Sequence, residues 1–382
     1  MKKKVLFSTS LFHAANDAAT VTMPMIFPLL YTQQYIIRKY WHIGILSYVG
    51  LFTTMLFQII IANSAHRYEY KKILLFSMAG ISATLVLITF SWNFASMLLL
   101  YLTMRMFMSF YHPVGIAMVS TSHPNQGLDF AMGIQSGSGN LGVLTAFITT
   151  GYLAQSLNWQ VPLYVWATMC LLIGFYSFSS LRKMPTQSFD VVKPDFSHWR
   201  EALNAIKKHV PGFVFGGACW GTTVYYAPSL LNHRYGIPLG TTGVYLACWI
   251  GIGTVMTYLF GLISQRFGRG KVARAAIMGA TLFLFLLWKA PSRELAVVFL
   301  LFFGSFLFLL FPAFQSSVGN QTPQSVQTLA FSIVANVKML FGALAGLIAG
   351  FLSDSFGINS PFLFLALCGV CVSVYYLRGR SQ

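Results

Sequence analysis

The sequence predicts an all-α membrane protein of twelve transmembrane helices, arranged as two related six-helix bundles. The first observation is composition, because hydrophobic residues make up 56% of the 382 residues and charged residues only 9%. Soluble domains carry about 25% charged residues, so much of this chain's surface is suited to lipid. The second observation is a series of twelve apolar segments, and the third is an internal repeat.

Twelve apolar segments are each long enough to cross a hydrocarbon core of about 30 Å. They lie at residues 5–31, 41–63, 72–91, 94–121, 129–157, 161–182, 210–232, 239–264, 270–289, 293–319, 326–355 and 359–377. Six precede and six follow a polar stretch. We therefore expect an N-terminal bundle at 1–182, a cytoplasmic linker at 183–209 and a C-terminal bundle at 210–382.

The linker contains a candidate amphipathic helix. Ser197 could cap it, and Trp199, Leu203 and Ile206 would share one apolar face. Such a helix is expected on the inner membrane surface, where it would tether the two halves. A regulatory role stays open beside that of a plain linker.

The third observation is a repeat at one fixed offset. The offset is 199 residues: Arg266 lies 199 residues after Arg67, and Lys271 lies 199 residues after Lys72. The offset also aligns three proline pairs, which are Pro113 with Pro312, Pro124 with Pro323, and Pro162 with Pro361. Such self-similarity indicates two related halves, the usual plan of a secondary transporter. That plan predicts a substrate site between the halves, near the middle of the bilayer.

The basic residues predict the topology. A net charge of +17 would suggest nucleic-acid binding in a soluble protein, but here most basic residues fall on one side of the expected helices. Basic residues favour the cytoplasmic side. We therefore expect both termini in the cytoplasm, a bacterial inner membrane location and no nucleic-acid partner. The basic residues expected on the opposite side are Arg38, Lys39, Arg234, Lys289 and Arg293.

The five cysteines all fall inside apolar stretches and lack ligand spacing. They are typical of small core residues, so we expect no disulfide framework, no metal site and no cofactor.

The loop after the eighth segment resembles the motif of major facilitator superfamily transporters between helices two and three, which that family repeats between helices eight and nine. The residues that carry the resemblance are Gly261, Arg266, Gly268 and Arg269, with Gln265 where the family usually has aspartate.

The earlier copy of the motif matches less well. Arg67 and Lys72 are present, but His66 replaces the aspartate and Glu69 the second glycine. Two further stretches, Gly-Tyr-Leu-Ala-Gln from Gly151 and Gly-Phe-Leu-Ser-Asp from Gly350, resemble the cytoplasmic ends of helices five and eleven in that family.

The resemblance implies the major facilitator fold and a gating role for the loop motif. In the family, the acidic residue of the loop meets positive charge and a helix terminus, which steadies the outward-facing state. Gln265 has no charge, so Asp354 at the end of helix eleven is expected to serve instead. The alternative is that the loop's basic residues are ordinary topology determinants.

Two short patches resemble the fosmidomycin-resistance branch of this superfamily. They are His-Ala-Ala-Asn-Asp from His13 to Asp17, and Phe-Tyr-His-Pro-Val-Gly from Phe110. That resemblance implies outward movement of phosphonates and related carboxylates. Uptake of an anionic nutrient or of a siderophore-like carboxylate chelator stays open.

Asp17 is the candidate proton carrier, because an ionisable side chain inside a span costs about 2.5 kcal/mol or more and normally faces a cavity or a partner. His13, Asn16 and Thr20 fall on the same helical face. The alternative is a neutral Asp17 that forms a hydrogen bond to a neighbouring helix.

Arg105 and His112 lie seven residues apart in the fourth segment and are expected to share a face. Arg105 matches the arginine of a family motif associated with proton coupling, and it could hold Asp17 ionised or contact substrate. His112 can change charge near neutral pH, although a structural histidine is an equal alternative. Pro113 should kink or loosen the preceding turn.

Lys338 lies deep in the eleventh segment, too far from either end to snorkel easily. Helices seven to eleven offer no acid except Asp354, so an anionic substrate is its natural partner. A distant pair with Asp17, or a lysine kept neutral by burial, stays open.

The remaining candidates for the substrate cavity are polar or aromatic. The fifth segment carries a glycine-rich stretch from Gly133 to Gly142 that resembles the antiporter motif of the superfamily, with Ser138 at the usual proline position. Close helix packing is the alternative role of this stretch. The candidates are Asn16, Gln135, Asn140, Trp220, Tyr225, Tyr226 and Trp249.

These residues together predict a proton-coupled, monomeric secondary carrier of a small organic anion in the lipid bilayer. A membrane enzyme or a non-transporting sensor is the alternative class. The sequence has no paired carboxylates, no Ser-centred elbow and no loop long enough for an output domain.

Overall fold

The computed structural model describes residues 2–64, 68–123, 128–181, 196–323 and 326–378. It is all-α, with no strand among these residues. The helices are α1 (Lys2–Thr32), α2 (Tyr40–Ser64), α3 (Tyr70–Ile88), α4 (Phe94–Met108), α5 (Tyr111–Ser122), α6 (Leu128–Ser156), α7 (Val161–Ser180), α8 (Phe196–Ile206), α9 (Val210–Ser229), α10 (Leu239–Phe267), α11 (Arg269–Lys289), α12 (Arg293–Gln321), α13 (Gln327–Phe356) and α14 (Ser360–Arg378).

These helices confirm the predicted all-α class. Each of the twelve apolar segments forms one long helix, except that α4 and α5 together make the fourth. By length and composition, nine spans in the described part of the chain could cross a membrane. The long helices outside that set are α1, α6 and α9, and the short linker helix α8 also lies outside it. The first two of these carry several of the polar candidate residues.

The chain divides into two compact units. Unit 1 comprises the described residues of Met1–Arg38, Val49–Val191 and Pro238–Ala247. Unit 2 comprises those of Lys39–Tyr48, Val192–Ile237 and Cys248–Gln382. The start of α2 therefore groups with unit 2, and the start of α10 groups with unit 1.

The fourth apolar segment is broken into two helices. α4 ends at Met108 and α5 begins at Tyr111, so Pro113 stands in the first turn of the second helix. A proline there cannot donate a hydrogen bond to the preceding turn, and its ring crowds that turn's carbonyl. The break lies where the proline predicts it, and it opens α5 with Tyr111 and His112.

In unit 1, α6 packs very closely on α1 at glycine positions. A side chain at Gly142 would overlap the backbone of Ala14, and one at Gly139 would lie 2.7 Å from Nε2 of His13. Small residues let membrane helices approach to backbone contact, where dispersion is strong. The structure therefore supports the packing role of the glycine-rich stretch.

Repeat-related residues cap the starts of α2 and α10. In unit 2, both carboxylate oxygens of Asp354 accept hydrogen bonds from α2, from the backbone N–H groups of Tyr40 and Trp41, each at 2.9 Å. In unit 1, Oε1 of Gln155 accepts a bond of 2.7 Å from the N–H of Gly240 at the start of α10. The first N–H groups of a helix have no partner within it, so these side chains satisfy them.

The expectation that Asp354 replaces the missing charge of the Gln265 loop is wrong. Asn359, just after α13, donates a hydrogen bond of 3.2 Å to the carbonyl of Trp288 near the end of α11. Asp354 therefore lies at that end of unit 2, whereas Gln265 lies in the turn before α11, at the other end. Its carboxylate caps α2, and it cannot replace the missing charge of the Gln265 loop.

The linker helix α8 packs against α12 and α13 in unit 2. Ala202 and Ile206 are buried in this contact, while Phe196, Trp199 and Leu203 are exposed. The expected shared face is therefore split, because Ile206 faces the bundle and the two larger side chains do not. Exposed apolar side chains beside basic residues remain compatible with the predicted membrane surface.

The α1–α6 contact makes Gly142 a test of the packing. We expect Gly142→Ala to lower the free energy of unfolding by about 1–3 kcal/mol, because the added methyl group must push α1 away. Thermal unfolding of the purified protein in detergent measures this change. Gly133→Ala is the matched control, since no atom lies within 4 Å of its added Cβ, and equal midpoints for the two variants would contradict the packing.

The Asp354 cap makes a local prediction. Asp354→Ala should cost about 0.5–2 kcal/mol and should speed amide hydrogen exchange at Tyr40 and Trp41, which lose their acceptor. Asp354→Asn keeps an acceptor oxygen and should change exchange less. Hydrogen exchange with mass spectrometry of peptides over Lys39–Tyr48 gives the comparison, and unchanged exchange in Asp354→Ala would rule out the cap.

Candidate functional site

Unit 1 holds a carboxylate between two imidazoles. Asp17, near the middle of α1, places Oδ2 3.1 Å from Nε2 of His13 and Oδ1 3.7 Å from Nε2 of His112. The His13 and Asp17 pair follows from their four-residue spacing on one helix. His112 joins them from the first turn of α5. We call these three residues the Asp17 cluster.

The cluster is only partly buried. The side chains of His13, Asp17 and His112 are 12%, 24% and 31% exposed. The charged form of a group inside a membrane protein is expensive unless it is paired or reached by water. Partial exposure and the imidazole partners together meet that requirement.

Hydrogen bonds fix the orientation of His13. Its Nδ1 lies 2.8 Å from the backbone carbonyl oxygen of Gln135 on α6. The Gln135 side chain donates a bond of 2.9 Å to the hydroxyl of Tyr111, which donates in turn to the carbonyl of Thr9 at 2.8 Å. The imidazole ring of His13 also lies against the ring of Tyr111. Three helices, α1, α5 and α6, therefore hold one ring in place.

Asn16 and Thr20, which the sequence placed on the same helical face as Asp17, extend the hydrogen bonds of the cluster. Nδ2 of Asn16 donates a hydrogen bond of 3.3 Å to Oδ1 of Asp17, and Oδ1 of Asn16 is buried without a partner among the described residues. Thr20 donates to the carbonyl of Asn16 at 3.2 Å. Asn140 lies on α6 and is partly buried.

Arg105 does not contact Asp17. Its Nε donates a hydrogen bond of 3.3 Å to the carbonyl of Gly50 on α2, and Thr54 donates to the carbonyl of Arg105 at 3.5 Å. The shared face with His112 stays a prediction, because Ser109 and Phe110 keep helical backbone angles between α4 and α5. Nη1 of Arg105 is buried and has no hydrogen-bond partner in the described chain.

Unit 2 holds Lys338 near the middle of α13. Its Nζ lies 4.7 Å from the centroid of the Phe311 ring, a cation–π contact. Among the residues that the structure describes, no carboxylate lies within 4.0 Å of Nζ. A side chain at Gly217 on α9 would overlap the Lys338 backbone, so the packing of α9 holds this part of α13 closely.

Some of the predicted aromatic residues form a cluster, and others are buried in the packing. Trp220 and Trp249 stack with their ring centroids 5.4 Å apart, and Phe308 packs edge-on against both. Phe308 also contacts Phe311, so this aromatic cluster continues to the lysine.

Tyr225 and Tyr226 are buried inside unit 2. The hydroxyl of Tyr226 donates to the carbonyl of Gly346 at 2.8 Å. This bond gives Tyr226 a role in packing α9 against α13.

The earlier loop motif is described in part. Arg67 and His66 lie outside the described residues. Lys72 and Lys71 pair with Glu69 at 2.8 and 3.3 Å, and hydrogen bonds from their ammonium groups lower the pKa of Glu69. Glu69, which stands where the family motif has glycine, therefore offsets part of the positive charge of this loop.

The later loop motif lies at the turn between α10 and α11. Gly268 has φ +83°, a conformation that glycine adopts without strain, and it directly precedes α11. The other motif residues are exposed, and they are Gly261, Gln265, Arg266 and Arg269.

The geometry assigns contacts that the sequence did not predict. Tyr111 and the carbonyl of Gln135 hold His13, Gly139 leaves room beside Asp17, and Phe311 faces Lys338. The His13–Asp17 spacing was the available signal for the first group. In the described chain, the Asp17 cluster is also the group of three side chains whose ligand atoms lie close enough together to hold a metal ion.

Comparison with known proteins identifies the family. The Major Facilitator Superfamily model matches residues 5–342 and 254–382. The chain is 27% identical over 220 residues to an uncharacterised MFS-type transporter of Pseudomonas aeruginosa strain LESB58. This alignment covers 56% of this chain and 52% of the relative. A similar protein of strain UCBPP-PA14 is 26% identical over 206 residues, covering 52% and 48%. The chain therefore aligns with about half the length of these curated relatives.

Solved structures show the same fold at low sequence identity. A bacterial homologue of the human lysosomal transporter Spinster superposes with a TM-score of 0.86 at 14% identity, covering 99% of this chain and 96% of that one. The nucleoside transporter NupG gives 0.84 at 13% identity and covers all of both chains.

These matches agree with the twelve helical segments and the internal repeat. They also confirm a multi-pass membrane protein whose family transports small molecules and does not catalyse reactions. The chain belongs to the major facilitator superfamily.

Proposed function

We propose that this protein is a proton-coupled secondary transporter that moves a small organic anion by alternating access. The observation that carries the proposal is the separation of charge types. An acid with two imidazole partners lies in unit 1, and a lysine with an aromatic partner lies in unit 2. Family membership supports transport itself, and these side chains support the coupling ion and the substrate class.

The Asp17 cluster is the proposed proton site. A carboxylate near mid-helix is costly when charged and unpartnered, so its protonation state responds to its neighbours and to water. His13 and His112 each place a nitrogen beside one carboxylate oxygen, so a proton can be shared between them. Partial exposure gives water a route to the site. Arg105 adds a nearby fixed positive charge without pairing directly.

Lys338 is the proposed anion site. Its ammonium group faces an aromatic ring, which stabilises the charge only in part. In the described part of the chain, no carboxylate pairs with this ammonium group. An anionic substrate would supply the missing negative charge. The adjoining Trp220, Trp249 and Phe308 rings offer an apolar surface for the remainder of such a molecule.

We propose export as the direction, in a bacterial inner membrane with both termini in the cytoplasm. The resemblance of the two short patches to the fosmidomycin-resistance branch supports export, and the basic loops support the orientation. The substrate class would then be phosphonates or related carboxylates.

The substrate class is tested by replacing Lys338. A panel of methylphosphonate, phosphonoacetate and citrate is screened for ligands that raise the thermal midpoint of the purified protein, as binding to the native state must. The lysine variant Lys338→Met should lose the shift. Lys289→Met is the matched control, because Lys289 lies at the end of α11 over Trp288. A shift that survives in Lys338→Met would place the anion elsewhere.

Proton coupling is tested by replacing Asp17. Vesicles containing the protein and a pH-sensitive dye should show proton movement when the stabilising anion is added on one side. The Asp17→Asn variant keeps the size of the side chain but cannot carry the proton, so this signal should fall to the level of empty vesicles.

Anion exchange without a pH gradient should persist in Asp17→Asn, which separates coupling from folding. Equal proton fluxes in the two proteins would contradict the assignment. With an imposed gradient, export predicts that the anion moves against the proton flow, and movement with the flow would identify uptake.

A further inference from the structure

The side chains of the Asp17 cluster form a donor set that suits a metal ion as well as a proton. The ligand atoms of His13, Asp17 and His112 all lie within 4.8 Å of one another. Two imidazole nitrogens and a carboxylate are ligands that transition metals such as zinc and cobalt accept, whereas magnesium and calcium prefer oxygen alone.

The hydrogen bond to Gln135 selects the tautomer that a metal requires. A backbone carbonyl can only accept, so Nδ1 of His13, at 2.8 Å from it, carries the proton. In the neutral ring, Nε2 then presents a lone pair to the carboxylate oxygen at 3.1 Å. Two lone-pair atoms this close need a cation or a proton between them. Metal-binding histidines are commonly held by such a bond from the other ring nitrogen.

Each imidazole nitrogen of the cluster lies at a distance from one oxygen of Asp17 that is close to the ligand separation of a tetrahedral site, although the two nitrogens face different oxygens. Nitrogen and oxygen ligands about 2.0–2.1 Å from a zinc ion are separated by about 3.3 Å from one another. The Nε2 to oxygen separations here are 3.1 Å for His13 and 3.7 Å for His112. Because the three ligand atoms lie within 4.8 Å of one another, side-chain movements on the order of 1 Å would bring all three donors into one coordination shell.

Gly139 keeps the ligand atoms accessible. A Cβ at this position would lie 2.7 Å from Nε2 of His13 and 2.8 Å from Oδ2 of Asp17, in the space that an ion or its bound water would need. The neighbouring Asn16 leaves a buried amide oxygen without a partner among the described residues. A metal-bound water could donate a hydrogen bond to that oxygen.

We propose that the Asp17 cluster is a binding site for a divalent transition-metal ion of the zinc class. Three side chains supply the ligands, and one coordination position remains for water or an exchangeable ligand, as in open zinc sites. The inference goes beyond the proposed function, because metal binding by the resting protein requires no transport. A metal and a proton would compete for the same lone pairs.

Cobalt is the probe that tests the site. Purified full-length protein in detergent is titrated with Co²⁺, whose visible absorption intensifies in a tetrahedral site, and the bound Co²⁺ is then displaced with Zn²⁺. Wild-type protein should bind one ion with this spectrum. His112→Gln and Asp17→Asn should each weaken binding about tenfold or more, since even residues that only orient metal ligands contribute that much.

Two further variants separate coordination from general damage. Gly139→Ala removes no donor but places a methyl group against Nε2 of His13, so it should also weaken Co²⁺ binding. His198→Gln on α8, a half-buried residue outside the Asp17 cluster, should leave binding unchanged, which controls for adventitious histidine sites. Circular dichroism and size-exclusion profiles establish that each variant is folded.

The inference is overturned if the wild-type protein gives no tetrahedral Co²⁺ spectrum, or if His112→Gln and Asp17→Asn bind Co²⁺ as tightly as the wild type. Its failure is distinguishable from failure of the proposed function. Proton-coupled flux without metal binding would contradict this inference alone. Metal binding without proton-coupled flux would contradict the proton assignment alone.

Discussion

The contact of the Asp17 carboxylate with two imidazoles is the interaction on which the arrangement of unit 1 depends. A charge near the middle of an apolar helix is tolerated only when partners or water compensate the lost hydration. His13 supplies one partner from the same helix, and the break before Tyr111 lets α5 supply His112. The close approach of α6 adds the carbonyl that orients His13. Each of these three features follows from a local property of the chain: helical spacing, a proline and glycines.

Unit 2 uses the related scaffold for a different chemistry. Its central charge is Lys338, which faces an aromatic ring where Asp17 faces imidazoles. The backbone plan is shared, as the helix caps at Gln155 and Asp354 show most clearly, because the internal offset aligns these two residues. A duplicated framework has therefore kept its helix-terminating contacts while its buried side chains diverged. This division is expected where the backbone provides the fold and a few side chains provide specificity.

The sequence was sufficient for the twelve segments and the repeat, because both depend on hydrophobicity and spacing along the chain. The His13–Asp17 contact was also predictable from four-residue spacing. The hydrogen bond from Arg105 to the carbonyl of Gly50 was not, because it depends on how α2 packs beside α4. The end of the bundle at which Asp354 lies follows from the alternating direction of the spans, whereas the local motif resemblance predicted the opposite end. The metal-binding geometry needed the tautomer of His13, which a carbonyl from a distant helix decides.

The central claim is that His13, Asp17 and His112 act as one electrostatic unit. Nitrogen NMR of protein labelled at histidine, compared between wild type and Asp17→Asn across a pH series, tests it most directly. The account predicts that the ring nitrogens of both His13 and His112 change their chemical shifts and titration behaviour in the variant, while His198 on α8 does not. Unaltered His13 and His112 signals in a folded Asp17→Asn protein would contradict it.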